Sequence, residues 1–298
     1  MSVLEAHMGE VLAVVTAITW ALAVIFFKRS GEVVRPMGLN LFKNILAMVL
    51  FLPTIYLFGE SLFRQVAATD YLLLLASGAL GIGIADTLFF KSLNLLGAGR
   101  SAIVDCLYSP FIIGLSLVWL GEHLSVLQLV GAIMIISAVL AITGERAANT
   151  HDRKSTLLGV FLGAAAMACT AVGIVMIKPL LDRSPLLWVT EIRMAGGVMV
   201  LLLSLLVHPE RRAILNSIRS PQRWVFTVTG AFLGGYLAMV LWLAGMKFTQ
   251  ASIAAALNQT SSIFVFIFAA LLLKERITLV RVAGIVMGVG GVFLVTFS

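Results

Sequence analysis

Five ionisable residues stand out within the long apolar stretches of this chain, away from their ends: Lys43, Asp86, Asp105, Glu191 and Arg193. A charge near the centre of a membrane helix costs roughly 2.5–3.5 kcal/mol on insertion scales, so each needs a reason to be there. Carboxylates at Asp86 and Asp105 suit two tasks. They can carry a proton coupled to the movement of a solute, or face a solute's ammonium group. Lys43 can instead pair with one of them and lock neighbouring helices together. Burial disfavours an ionised carboxylate and a nearby lysine favours it, so both readings stand at this point. Glu191 and Arg193 are two residues apart, point to different sides of their helix, and read as structural packing or interface anchors.

Depth follows from hairpin spacing. The turn between the third and fourth apolar stretches centres near Leu95–Leu96, with Asp86 about nine residues before it and Asp105 about nine after. At ~1.5 Å per residue both lie roughly 14 Å from one membrane face, on neighbouring antiparallel helices. Lys43 enters from that face and sits about 10 Å deep, within reach. Trp20 lies midway along the first stretch, Asp105 and Tyr108 share a face of the fourth, and Asn258 and Ser261 do so on the ninth. Tyr236, Met239 and Trp242 recur at i, i+3, i+6 on the eighth. Aromatic walls with a few polar groups suit a small amphipathic solute. The candidate binding set is therefore Trp20, Asp86, Asp105, Tyr108, Tyr236, Met239, Trp242, Asn258 and Ser261, with Asp86 and Asp105 also candidates for coupling. Pro110 removes the amide that would bond the Cys106 carbonyl and predicts a hinge in the fourth stretch. Its counterpart in the second half is Ile263, so the hinge is expected in one half only.

The elements that must hold these residues are membrane helices. The chain is 60% hydrophobic and 12% charged, with mean hydropathy +1.06; a soluble domain would carry about twice that charge. The apolar residues fall into ten blocks of about twenty, the length that crosses ~30 Å of hydrocarbon as helix. They run over 9–28, 37–58, 71–93, 99–120, 125–143, 157–178, 186–207, 224–246, 251–273 and 278–297, leaving no room for a soluble domain. The first block has no Lys or Arg before it and continues through Phe27, which reads as a transmembrane helix rather than a signal peptide. A net charge of +7 would point to nucleic acid in a soluble chain. Here the basic residues collect in loops on one membrane face, so no nucleic-acid partner is expected. Cys106 and Cys169 lie within spans as small fillers, and the four histidines lie in loops or at span ends. No metal site, cofactor or ATP-binding loop is expected, since no G-x-x-x-x-G-K-S/T, H-E-x-x-H or G-x-S-x-G occurs.

The chain repeats itself. Leu80 matches Leu233, Gly81 Gly234, Glu122 Glu275, Ser125 Thr278 and Gly131 Gly284 at an offset of 153, while Gly9 matches Gly159, Lys28 Lys178 and Lys43 Arg193 at 150. In the same register Asp105 becomes Asn258 and Asp86 becomes Met239. The organisation is a five-span repeat over 1–143, a linker over 144–156 and a second repeat over 157–298. An odd number of spans inverts the second copy, which permits inward-open and outward-open states by exchange of the halves' conformations. Fourteen Lys and Arg fall on one set of loops and four on the other, which places the linker and the 208–223 loop in the cytoplasm and the termini on the opposite face.

Two segments carry a resemblance. L-Y-S-P-F-I-I-G-L-S-L-V-W-L-G-E-H-L-S-V-L-Q-L-V-G-A (107–132) and N-Q-T-S-S-I-F-V-F-I-F-A-A-L-L-L-K-E-R-I-T-L-V-R-V-A-G-I (258–285) resemble the paired signature of the EamA-type branch of the drug/metabolite transporter superfamily. The resemblance covers nearly the whole chain. It implies an all-α, ten-span secondary transporter of the bacterial inner membrane, acting on a small molecule and expected to work as a monomer in the bilayer. The family's acidic residue before the short turn falls on Glu122 and Glu275. Its basic residue early in the second span falls on Lys43, a departure from the expected Arg, and on Arg193. It implies that spans one, three, four, six, eight and nine surround the cavity, with Lys43 and Arg193 on peripheral helices as structural charges. Within the family the chain looks most like exporters of amino acids, aromatic or otherwise apolar. Carriers of amphipathic cations or drugs, carriers of nucleotide sugars or sugar phosphates, and a solute-binding protein without transport are the alternatives.

Overall fold

In the computed structural model the described residues are 7–120, 125–144, 150–181, 183–219, 224–248 and 257–297. In lipid every backbone polar group must bond internally, and these apolar blocks accordingly form helices. Among the described residues nine are long and apolar enough to cross a membrane, and a tenth apolar helix is shorter. They are α1 (Met8–Ser30), α2 (Pro36–Leu57), α3 (Ala68–Leu96), α4 (Ala98–Trp119), α5 (Val126–Thr143), α6 (Arg153–Val175), α7 (Leu186–Val207), α8 (Trp224–Trp242), α9 (Leu257–Leu272) and α10 (Leu279–Phe297). The expected first turns of α9, over 251–256, lie outside the described residues, as do Glu122 and residues 145–149 of the linker. Helix ends follow local chemistry. Pro36 opens α2, where its missing amide is harmless, and Ser125 with Gln128 forms a capping box at α5.

The packing has a pairwise logic. α1 lies against α8 and α9, and its repeat counterpart α6 lies against α3 and α4. α2 packs on α8 as α7 packs on α3, while α2 meets α7, α4 meets α9 and α5 meets α10. Each contact maps onto another, or onto itself, when the two copies are exchanged. The α5–α10 crossing is close enough that a Cβ on Gly131 would fall 2.6 Å from the Gly291 carbonyl, and the reverse holds too.

The spans near the centre are interrupted at matching places. α3 widens to a π-helix over Ala79–Ile84, and α8 does so over Ala231–Leu237. Asn40 of α2 donates to the carbonyls of Ile82 and Gly83 at 2.9 and 3.0 Å, occupying acceptors in the widened turn. α4 leaves the α-helix at Cys106 and Leu107, whose amides bond three residues back. α9 breaks at Thr260, whose amide likewise bonds Leu257. The interruption expected in one half is thus present in both. After the break, Phe111 bonds Leu107 at 3.2 Å in α4, and the counterpart Phe264 bonds Thr260 at 3.2 Å in α9. Pro110 sits in the first turn of the resumed helix, where a missing amide costs little. The Cys106 carbonyl is not released by it but accepts from the Ser109 amide at 3.2 Å.

Candidate functional site

The interrupted spans enclose a cavity of about 420 Å³, a volume suited to a small solute. Its walls come from α1–α4 and α6–α9, while α5 and α10 contribute nothing. The lining residues are related by the repeat. Trp20 and Thr170, Lys43 and Arg193, and Asn44 and Met194 all line the cavity at an offset of 150. At 153 come Gly81 and Gly234, Ile82 and Gly235, Asp86 and Met239, Phe89 and Trp242, Asp105 and Asn258, and Tyr108 and Ser261. The cavity therefore sits where the copies meet, with each supplying equivalent positions.

Eight of the nine residues read from sequence as a binding set line this cavity: Trp20, Asp86, Asp105, Tyr108, Met239, Trp242, Asn258 and Ser261. Tyr236 does not. The i, i+3, i+6 reading assumed an unbroken α-helix, and the π-helical turn rotates Tyr236 out of phase. Its hydroxyl meets Thr54 Oγ1 at 2.8 Å, and its ring lies edge-on to Phe51 with centroids 5.3 Å apart.

Lys43 and Arg193 overturn the peripheral placement that the resemblance implied, because both line the cavity. Lys43 is buried, donates to the Asp86 carboxylate, and stands 5.6 Å from the centroid of the Phe90 ring. Arg193 donates through Nε to Ser77 Oγ at 3.0 Å. Ser77 in turn donates to the Gly173 carbonyl, joining α7, α3 and α6. Arg193 lines the same cavity as Asp86 and Tyr108. What brings it there is the closeness of α3 and α7, since a Cβ on Gly78 would fall 1.8 Å from the Arg193 carbonyl oxygen. No local sequence pattern marks Asn44, Phe89 or Thr170 as lining residues; the repeat register, applied to Trp242 and Trp20, reaches Phe89 and Thr170, and nothing in the sequence reaches Asn44.

Two of the remaining charges have different surroundings. Glu191 is 3% exposed, and its Oε2 has no hydrogen-bond partner, so it anchors no described neighbour through that atom. Glu275 caps α4: its carboxylate accepts from the amides of Ala98 at 2.7 Å and Gly99 at 3.1 Å, at the positive end of the helix dipole. Among the described residues no cluster of His, Cys, Asp and Glu has a geometry that would hold a metal.

Comparison with known proteins accords with this architecture. A protein described as an uncharacterized transporter from Archaeoglobus fulgidus is 29% identical over 281 residues, covering 93% of this chain and 94% of that protein. A second uncharacterized transporter, from Methanothermobacter thermautotrophicus, is 28% identical over 243 residues, 80% of this chain and 68% of its own. The uncharacterized transporter YvbV of Bacillus subtilis is 25% identical over 228 residues, 74% of this chain and 70% of YvbV. A solved crystal structure shares the fold with a TM-score of 0.67 at 19% identity, covering 98% of this chain and 96% of that one. The profile of the EamA-like transporter family matches twice, over residues 7–144 and 157–297, once for each set of five helices. This chain, a multi-pass membrane protein, belongs to the EamA-like transporter family.

Proposed function

We propose that the protein is a secondary transporter that exports amino acids, aromatic or otherwise apolar, across a bacterial inner membrane by alternating access. One observation carries this reading: nine repeat-related pairs of residues line a single cavity. Five spans per copy invert the second copy, so exchanging the halves' conformations would move the opening from one face to the other without moving the site. The packing of α2 on α7 supports inversion. Leu41, near the start of α2, clusters with Leu201 and Leu205 near the end of α7, while Ile55 clusters with Leu187 at its start. The matched breaks in α4 and α9 and the π-turns in α3 and α8 are the flexible points such motion needs.

Trp20, Tyr108 and Trp242 supply aromatic wall for an apolar side chain. Lys43 and Arg193 would suit a phosphate, but Asp86 and Asp105 in the same chamber oppose an anion of high charge. Asp105 is the better candidate for proton coupling, because Asp86 is committed to Lys43. Counterflow in proteoliposomes tests the function: vesicles preloaded with one amino acid should accumulate its labelled form from outside. Binding with no exchange across a panel of amino acids, amphipathic amines and sugar phosphates would identify a solute-binding protein instead.

A further inference from the structure

The charged groups of the cavity do not cancel locally. Lys43 and Asp86 neutralise each other by direct contact. Arg193 keeps its charge at any pH of interest, and its one hydrogen-bond partner among the described residues is the neutral hydroxyl of Ser77. The side of the chamber built from α2, α3 and α7 therefore holds a surplus cation with free guanidinium N–H groups. The side built from α4 and α9 has the opposite deficit. Asp105 has no hydrogen-bond or ion-pair partner among the described residues. Asn258, its repeat counterpart on α9, has a buried Oδ1 that nothing among the described residues satisfies. Both stand at helix breaks, where the first segment of α4 ends at Asp105 and α9 is interrupted at Thr260. Carbonyl ends of half-helices favour a cation.

We infer that the cavity is a two-pole site for a zwitterion. The solute's ammonium group is taken by Asp105 and Asn258 Oδ1, and its carboxylate by the free N–H groups of Arg193. This rests on the transport reading above and deepens it, giving Arg193 and Asn258 binding roles and setting the polarity of the bound solute. Asp105, Asn258, Arg193 and Tyr108 all line the same cavity, which puts the poles in one chamber. A solute with one charge leaves the other pole buried and unpaired, which is the strongest form of discrimination available to a polar site.

The test uses the full chain in proteoliposomes and two matched sets of probes. One set is L-phenylalanine, phenethylamine and 3-phenylpropionate; the other is L-alanine, ethylamine and propionate. Wild type should exchange the zwitterion of at least one set tenfold or more faster than either truncated probe. Asp105→Asn should lose at least tenfold on the zwitterion and little on the matched carboxylate, and Arg193→Gln should do the reverse, sparing the matched amine. Should Arg193→Gln fail to fold, Arg193→Lys should keep the preference for a zwitterion over an amine while weakening it. Exchange of the zwitterion with selectivity unaltered in Asp105→Asn would overturn the two poles and leave the transporter reading intact. Equal exchange of an amine or a carboxylate by wild type would also overturn them. No exchange of any probe, nor of the wider panel, would remove the transport reading and this inference with it.

Discussion

The α3–α7 contact gives a sharp test of how packing positions the cavity charges. In Gly78→Ala the new Cβ would lie 1.8 Å from the Arg193 carbonyl oxygen, where ordinary contact begins near 3.4 Å. The two backbones must then separate by about 1.6 Å, and Gly196 offers no slack, because its own Cβ would stand 2.2 Å from the Leu75 carbonyl. Such a shift carries Arg193 Nε, now 3.0 Å from Ser77 Oγ, out of hydrogen-bond range. Overpacking costs about 1–3 kcal/mol and the lost hydrogen bond about 1 kcal/mol. The sum should lower the Tm of detergent-purified protein by on the order of 5–10 °C, and exchange should fall as the guanidinium moves. Gly114→Ala is the control, since a Cβ there meets nothing within 4 Å, and it should match wild type. A Gly78→Ala variant with unchanged Tm and unchanged exchange would refute the claim that this contact sets the position of Arg193.

Other expectations follow from single contacts. Gly97 has φ +83° and a Cβ there would lie 2.6 Å from Glu275 Oε1, so Gly97→Ala should cost about 1–3 kcal/mol. Glu275→Ala leaves two α4 amides uncapped and should cost about 1.5–3 kcal/mol; because it also relieves the clash, the double variant should cost less than the two combined, and strict additivity of the Tm shifts would contradict the contact. Glu191→Leu exchanges a buried carboxylate with an unpartnered oxygen for the residue type of its repeat counterpart, Leu41; Tm should hold or rise, and a fall would reveal a partner for Glu191. Single cysteines in the 144–156 linker and the 208–223 loop, in a variant lacking Cys106 and Cys169, should resist an impermeant thiol reagent outside intact cells, and labelling of both would reverse the orientation.

The sequence carries most of this fold because hydrocarbon permits few alternatives. An apolar block of about twenty residues becomes a spanning helix almost regardless of detail, and the repeat register then relates the two halves. Hairpin spacing brought Asp86 and Asp105 to one depth, and both line the cavity. Failures came where helices depart from ideal geometry. The i, i+3, i+6 spacing of Tyr236 presumes an unbroken α-helical period, which the π-turn over Ala231–Leu237 shifts. The break at Thr260 has no proline to announce it. Arg193 reaches the cavity because Gly78 and Gly196 let α7 press against α3, and contact between helices so distant in sequence leaves no local signature. In the sequence Glu275 is only part of a motif; its role as the cap of α4 depends on a partner 177 positions earlier.

The central claim is that one cavity, built from equivalent positions of two copies, opens to either face in turn. A Ser261→Cys variant without Cys106 and Cys169, reconstituted in one orientation, measures this directly through labelling by an impermeant thiol reagent applied to one face at a time. The account predicts labelling from each face, with saturating solute shifting the balance between them. Labelling from a single face under every condition would contradict it.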